Sequence, residues 1–174
     1  MSEIIKDGKI VADDWTVLRL NEDQHAGTVN VPSGNQIVPL AVWLAQRDAL
    51  SARGTVGVWL ASSERAESLK DDFATVPVIA VDFPKFSDGR GYSIAYNLRS
   101  RLNYQGELRA IGDVLRDQLF YMQRVGFNAF APRADRSIQD ALKGLTDFSL
   151  SYQASIDEKA PLFRRTERTA SHVL

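Results

Sequence analysis

Four apolar runs in this chain are each followed by a stretch with apolar residues at helical spacing, and the connections between them are short. The runs are Thr55–Leu60 (TVGVWL), Val76–Val81 (VPVIAV), Glu107–Ile111 (ELRAI) and Asn128–Ala131. After the first, Ser62 and Ser63 can cap a helix with Ala66, Leu69 and Phe73 on one face. Tyr92–Asn103 carries Ile94, Leu98 and Leu102 as one stripe, and Asp113–Val125 carries Leu115, Leu119 and Met122. Ser137–Phe148 turns Ile138, Ala141, Leu142, Leu145 and Phe148 inward. A further amphipathic helix, Pro39–Arg53, precedes the first run and ends at Gly54. Strand–helix repetition with short links is satisfied most simply by parallel strands and right-handed helical crossovers. The expected fold class is therefore α/β. Either an open sheet carries helices on both faces, or the units form half of a (β/α)8 barrel, closed by self-packing or by a second copy. Four units are too few for a complete barrel.

The flanks read differently. Ile4–Ile5 and Ile10–Val11 surround Asp7-Gly8, a hairpin signature. Residues 1–35 form an N-terminal hairpin arm that covers an edge or makes an oligomer contact, residues 37–148 form the core, and residues 149–174 form a polar tail. Together they make one α/β domain of 174 residues. In the tail Arg164, Arg165 and Arg168 alternate with Glu158 and Glu167, which suits a solvated or partner-docking segment. A sheet of four units with such an arm leaves edges to cover, which points to a homodimer.

Composition removes several functions. No cysteine is present, so disulfides, thiolate nucleophiles and cysteine-held clusters are excluded. The only histidines, His25 and His172, lie near opposite ends with no metal-ligand spacing. Net charge is −1, which argues against nucleic-acid binding. No apolar run approaches the roughly 20 residues that span a bilayer. The first residues lack the basic-then-apolar order of a secretory signal, so the expected location is cytoplasmic.

Parallel α/β proteins bind ligands where strand-to-helix loops gather. The loop after the second run, Asp82 to Ser93, is rich in charge, aromatic rings and glycine. Gly89 and Gly91 flank Arg90 and can take positive φ at little cost, which allows close backbone approach to a ligand at a helix start. Lys85 and Arg90 add full charges, with Asp88 and Tyr92 beside them, and the set suits an oxyanion. Arg109, in the middle of a buried run, needs a carboxylate partner, with Asp82 and Asp113 the candidates, or else orients an anion itself. Arg116 opposes the helix dipole at the start of its helix and joins the anion-binding candidates. Asp82, Asp113 and Asp117 are the candidate acid–base groups.

These residues also carry a resemblance. The segment DFPKFSDGRGYSIAYNLRSRLNYQGELRAIGDVLRDQLFYMQRVGFNAF, Asp82 to Phe130, resembles the signature of bacterial family 934 of the domains of unknown function. Asp82, Pro84, Lys85, Asp88, Gly89, Arg90, Gly91, Tyr92, Arg109, Gly112, Asp113, Arg116, Asp117 and Gln118 lie on that motif. Members are commonly labelled oxidoreductases, and their genes neighbour those for sulfite reductase haemoprotein and the reductase of activated sulfate. The resemblance thus implies an accessory protein of sulfite reduction that docks on sulfite reductase or its electron donor. The alternatives are a small oxyanion-binding enzyme and a flavin-dependent oxidoreductase. Electron transfer would require a bound flavin or similar cofactor, because the chain has no redox residue of its own and no Gly-x-Gly-x-x-Gly turn.

Overall fold

The structure is a computed structural model and describes residues 2–165. Eight strands form one sheet: β1 (Glu3–Lys6), β2 (Lys9–Ala12), β3 (Thr16–Val17), β4 (Gln36–Pro39), β5 (Val56–Leu60), β6 (Val78–Phe83), β7 (Glu107–Gly112) and β8 (Ala129–Phe130). The helices are α1 (Leu40–Ala45), α2 (Arg47–Ser51), α3 (Arg90–Ser100), α4 (Arg116–Val125), α5 (Ile138–Lys143) and α6 (Leu162–Arg165). Single 3₁₀ turns occupy Ala66–Leu69 and Gly144–Thr146.

Strand order is β2-β1-β8-β7-β6-β5-β4-β3. From β4 to β8 each strand lies parallel to the next one in sequence. Right-handed crossovers in an unbroken order place all the helices on one side. This is the winding of half a (β/α)8 barrel, extended at its ends by β1–β2 and by β3.

The connection between β2 and β3 forces the sheet to curl. These two strands stand at opposite ends of the hydrogen-bonded order, yet only Asp13–Trp15 separates them. A flat sheet of this width would set them about 33 Å apart, whereas the linking chain reaches at most about 14 Å. The outermost strands are therefore brought round towards each other.

Strand alternation then makes two cores. Val38, Val58, Ile79, Val81, Leu108, Ala110 and Phe130 pack outward against the helices in the main core. On the inner face Ile37, Val78, Ala80 and Ile111 pack with Trp15, Val17, Trp59 and Ala131, without helical residues. The inner face also holds a neutral quartet of charges. Arg109, only 1% exposed, donates to Glu107 at 2.7 Å and to Asp13 at 2.9 Å, and Lys6 reaches Glu107 at 2.6 Å.

Three elements differ from the sequence expectation. Gln36–Pro39, itself paired parallel with β3, is a parallel strand beyond the four expected; four buried residues running straight into a helix carry no periodic signal. The helix expected over Pro39–Arg53 breaks at Gln46, whose side chain instead binds the carbonyls of Ala26 and Val29. The helix expected after Ser62 shrinks to one 3₁₀ turn. The Ser62 hydroxyl donates to Asp88 rather than capping, and the Glu64 carboxylate accepts from the Ala61 N–H. The hairpin forms where the sequence places it. Asp7 and Gly8 have φ of 48° and 73°, a type I′ turn, and β1 pairs antiparallel with β8. Glu167, Arg168 and His172 lie outside the described residues.

Candidate functional site

The C-terminal ends of the parallel strands carry most of the charged candidates. Asp82, next to last in β6, faces inward with Ala80. Its carboxylate accepts two hydrogen bonds from Arg19, at 2.7 and 3.1 Å, and Arg19 lies over the Trp59 indole, 5.2 Å from its centroid. Trp59 in turn donates to the Leu18 carbonyl, which fixes the chain just before Arg19. Donating to Asp82 raises the Arg19 pKa above its ordinary value. Gly112 makes room for this arrangement. Its φ is +92°, and a Cβ there would meet the Phe83 carbonyl oxygen at 2.5 Å and Asp82 Oδ1 at 2.8 Å.

Asp113 ties three loops together. One oxygen accepts from the Phe86 N–H at 2.9 Å and the other from Arg133 at 3.1 Å; Gln118 binds the Phe86 carbonyl from α4. Arg133 also grips Asp135 with two contacts of 2.9 Å, which holds the Asp135 carboxyl below the usual carboxylate range. Asp88 accepts from Arg90 and Ser62, and these bonds hold its carboxyl well below its ordinary value. Lys85 is exposed and has no ion pair among the described residues.

The glycine expectation needs correction. Gly89 has φ −77° and Gly91 is not left-handed, so neither supplies a positive-φ anion cradle. Gly91 instead lets α3 sit on Phe83, whose ring carbons lie 2.7–2.8 Å from where a Cβ would be. Arg109 is paired, but with Glu107 and Asp13 rather than with Asp82 or Asp113. The register explains this: Arg109 stands opposite Ala80, one inward-facing position below Asp82, and Asp113 lies beyond the strand end. Arg116 binds Asp147 at 2.8 Å and Asp140 at 3.5 Å on the outer surface. Asp117 is exposed in the first turn of α4. The proposed anion grip of Lys85, Arg90, Arg109 and Arg116 is thus distributed over the loop, the inner face and the helix layer. Arg19 and Arg133 were not singled out in the sequence, and Trp59 reads there as a packing residue. Arg19, in the run Thr16-Val-Leu-Arg-Leu20, offers the same signal as Arg109: a guanidinium flanked by apolar residues.

A second surface lies on the helix side. Tyr92 packs on Phe83 and Tyr121, with centroids at 5.4 and 5.1 Å, and burial raises its pKa. Phe120 packs on Phe148, and Tyr152 meets Phe163. Beyond these contacts Phe148, Leu150, Tyr152 and Phe163 stay 60–68% exposed, with Tyr96 and Tyr121 beside them. The segment Phe148–Ser155 (FSLSYQAS) carries no charge and alternates apolar with polar residues, yet joins no sheet. It is strapped to the end of α4. Ser155 Oγ donates to the Arg124 carbonyl, and the Arg124 guanidinium binds Asp157 and the Gln153 carbonyl. A shallow groove of about 360 Å³ runs between α3, α4 and this segment, lined by Tyr92, Tyr96, Tyr121, Val125 and Ala154.

No group of His, Asp and Glu among the described residues could hold a metal ion. No helix among them is long and apolar enough to cross a membrane.

Fold and surfaces together define a singly wound α/β half-barrel with ion-paired strand ends and an aromatic outer face. The model of a bacterial protein family of unknown function, DUF934, matches residues 57–163, and the chain belongs to that family. No curated protein and no solved structure matches the chain.

Proposed function

We propose that this protein is an accessory factor of assimilatory sulfite reduction in the cytoplasm, docking on sulfite reductase or its electron donor. The observation that carries a docking role is the exposed aromatic strip from Tyr121 to Phe163, held in place by the Arg124 strap. Rigid, half-exposed aromatic side chains supply contact area at little entropic cost. The assignment to sulfite reduction rests on the resemblance over Asp82–Phe130 and on what it implies about neighbouring genes. The strand ends favour scaffolding over acid–base catalysis, since Asp82, Asp88 and Asp113 are each held by an arginine.

The test is titration of the purified protein with sulfite reductase haemoprotein and, separately, with its flavoprotein donor. Binding is expected with one of them, and Leu150→Asp together with Tyr152→Asp is expected to weaken it about 30-fold without lowering Tm. Separate elution from both partners at tens of micromolar (a rough range for weak transient complexes) would overturn the proposal.

One observation favours a second reading, a small oxyanion-binding enzyme: Lys85 is a strand-end cation without an ion pair among the described residues. That reading expects sulfate or phosphate to raise Tm, and Lys85→Ala or Arg90→Ala to abolish the rise. Equal shifts in wild type and variants remove it.

A further inference from the structure

The groove between α3, α4 and the strapped segment differs in chemistry from the rest of the surface. Charged residues make up 25% of the chain, yet none of the residues lining this groove is charged. Tyrosines form its walls. Tyr92 is wedged between Phe83 and Tyr121, which fixes its ring. Tyr96, one turn further along α3, and Tyr121 on α4 are both exposed. Val125 and Ala154 are the only aliphatic lining residues, and Val125 is buried. The polar groups between the rings are unspent. The side chains of Ser93, Tyr96, Asn97 and Tyr121 make no hydrogen bond among the described residues, so each can donate outward.

Of the recurring ways in which proteins grip a peptide segment, three do not fit this groove. Strand addition needs an open sheet edge, and here the walls are two helices and a segment that joins no sheet. An amphipathic helix needs a broad aliphatic trough, which Val125 and Ala154 do not provide. An acidic or phosphorylated segment needs a cluster of arginines, and no arginine lines the groove. A proline-rich segment in the polyproline II conformation does fit. Its pyrrolidine rings pack on aromatic faces, and at each proline the chain keeps a carbonyl acceptor but has no N–H. Tyrosine walls with free hydroxyl and amide donors complement both properties. Such a segment is extended before it binds, so little ordering entropy opposes a shallow, rigid site. We infer that this groove binds a proline-rich segment of a protein partner. Tyr96 and Tyr121 stack on its prolines, and Ser93 and Asn97 donate to its carbonyls. The inference deepens the reading of the outer face as a docking surface and rests on it.

The probe is a fluorescently labelled decaproline peptide, titrated with the full chain and followed by anisotropy, with a glycine–serine peptide of equal length as control. Decaproline is expected to bind with a Kd of about 100 µM, at least about tenfold tighter than the control. Tyr96→Ala is expected to weaken that binding about tenfold, and Tyr96→Phe, which keeps the ring and loses a donor, about threefold. Tyr96 packs on no other ring among the described residues, so neither change is expected to lower Tm. Decaproline that binds no tighter than the control overturns the inference. So does binding that Tyr96→Ala leaves unchanged, which would place the peptide elsewhere. Failure here and failure of the docking reading give different results. A reductase component that binds while decaproline neither binds nor competes with it leaves docking intact and overturns only the proline-rich ligand. Tyr96-dependent binding of decaproline supports the groove even where both reductase components elute separately, which removes only the partner named above.

Discussion

Arg109 shows how much a single buried charge demands. Its guanidinium is satisfied only because Asp13 arrives from the far edge of the sheet and Glu107 sits two residues away on the same strand. Removing one partner leaves a charge without compensation in the interior. Asp13→Ala is expected to destabilise the protein by about 3 kcal/mol, lowering Tm by roughly 6–12 °C for a chain of this size; thermal unfolding checks it. Gly112→Ala combines a left-handed backbone with a clash against the Phe83 carbonyl, and an expected loss of about 2 kcal/mol can be read from urea midpoints. Tyr104 is buried and donates to the Val76 carbonyl, and burial pushes its pKa well above the ordinary tyrosine value. A pKa raised by folding contributes stability that is present below the unfolded value, about 10, and is lost as pH rises through the folded value. Stability should therefore fall above about pH 10, and Tyr104→Phe should flatten that fall in denaturant titrations at pH 9 and 11. The sequence announced Arg109 as a buried charge in need of a partner. It could not name Asp13, because that contact depends on strand register and on the curl of the sheet.

At the scale of elements, the legible parts were those with strong periodicity or turn chemistry. Strands β5 and β7, helices α3 and α4, and the Asp7-Gly8 hairpin lie within about one turn of where the pattern places them, while β6 is shifted by two residues to Val78–Phe83, which takes Asp82 and Phe83 out of the loop and into the strand. The losses share a cause. Gln36–Pro39 is too short to show a period, and the helix expected after Ser62 had its polar groups claimed by Asp88 and by the Ala61 backbone. Those two classes of element should also differ in local stability. Amides of Val78–Phe83 and Glu107–Ile111, buried on both faces, are expected to be the slowest to exchange with deuterium, and those of Ala61–Asp72 at least a hundredfold faster (about 3 kcal/mol in local opening). Uniform protection across both would contradict the packing described here.

For the whole molecule, four strand–helix units left a choice between an open sheet and half a barrel, and the structure takes the half-barrel winding and adds strands β3 and β4 and the order. The hairpin arm was expected to cover an edge or make an oligomer contact; what no local pattern revealed is that the edge is that of β8, and that the three residues after β2 carry the chain across to β3. Strand order is a long-range choice, and the hairpin's own sequence fits several positions equally well. Deleting residues 2–12 should bare the edge of β8 and remove Lys6 from Glu107. Aggregation on light scattering, or a Tm lower by roughly 10 °C, is the expected result; a soluble variant with unchanged melting would show that the hairpin contributes nothing to the sheet.

The pairing of the first strand with the last also sets an order of events during synthesis. Strands β4 to β7 can assemble one after another as they emerge, each beside its predecessor. The hairpin cannot, for its place in the sheet does not exist until Ala129 and Phe130 have been made. A nascent chain therefore carries an unfinished hairpin through most of its translation, with both of its outer edges bare. Slowing elongation lengthens that exposure, and only the synthesis of Ala129 and Phe130 ends it.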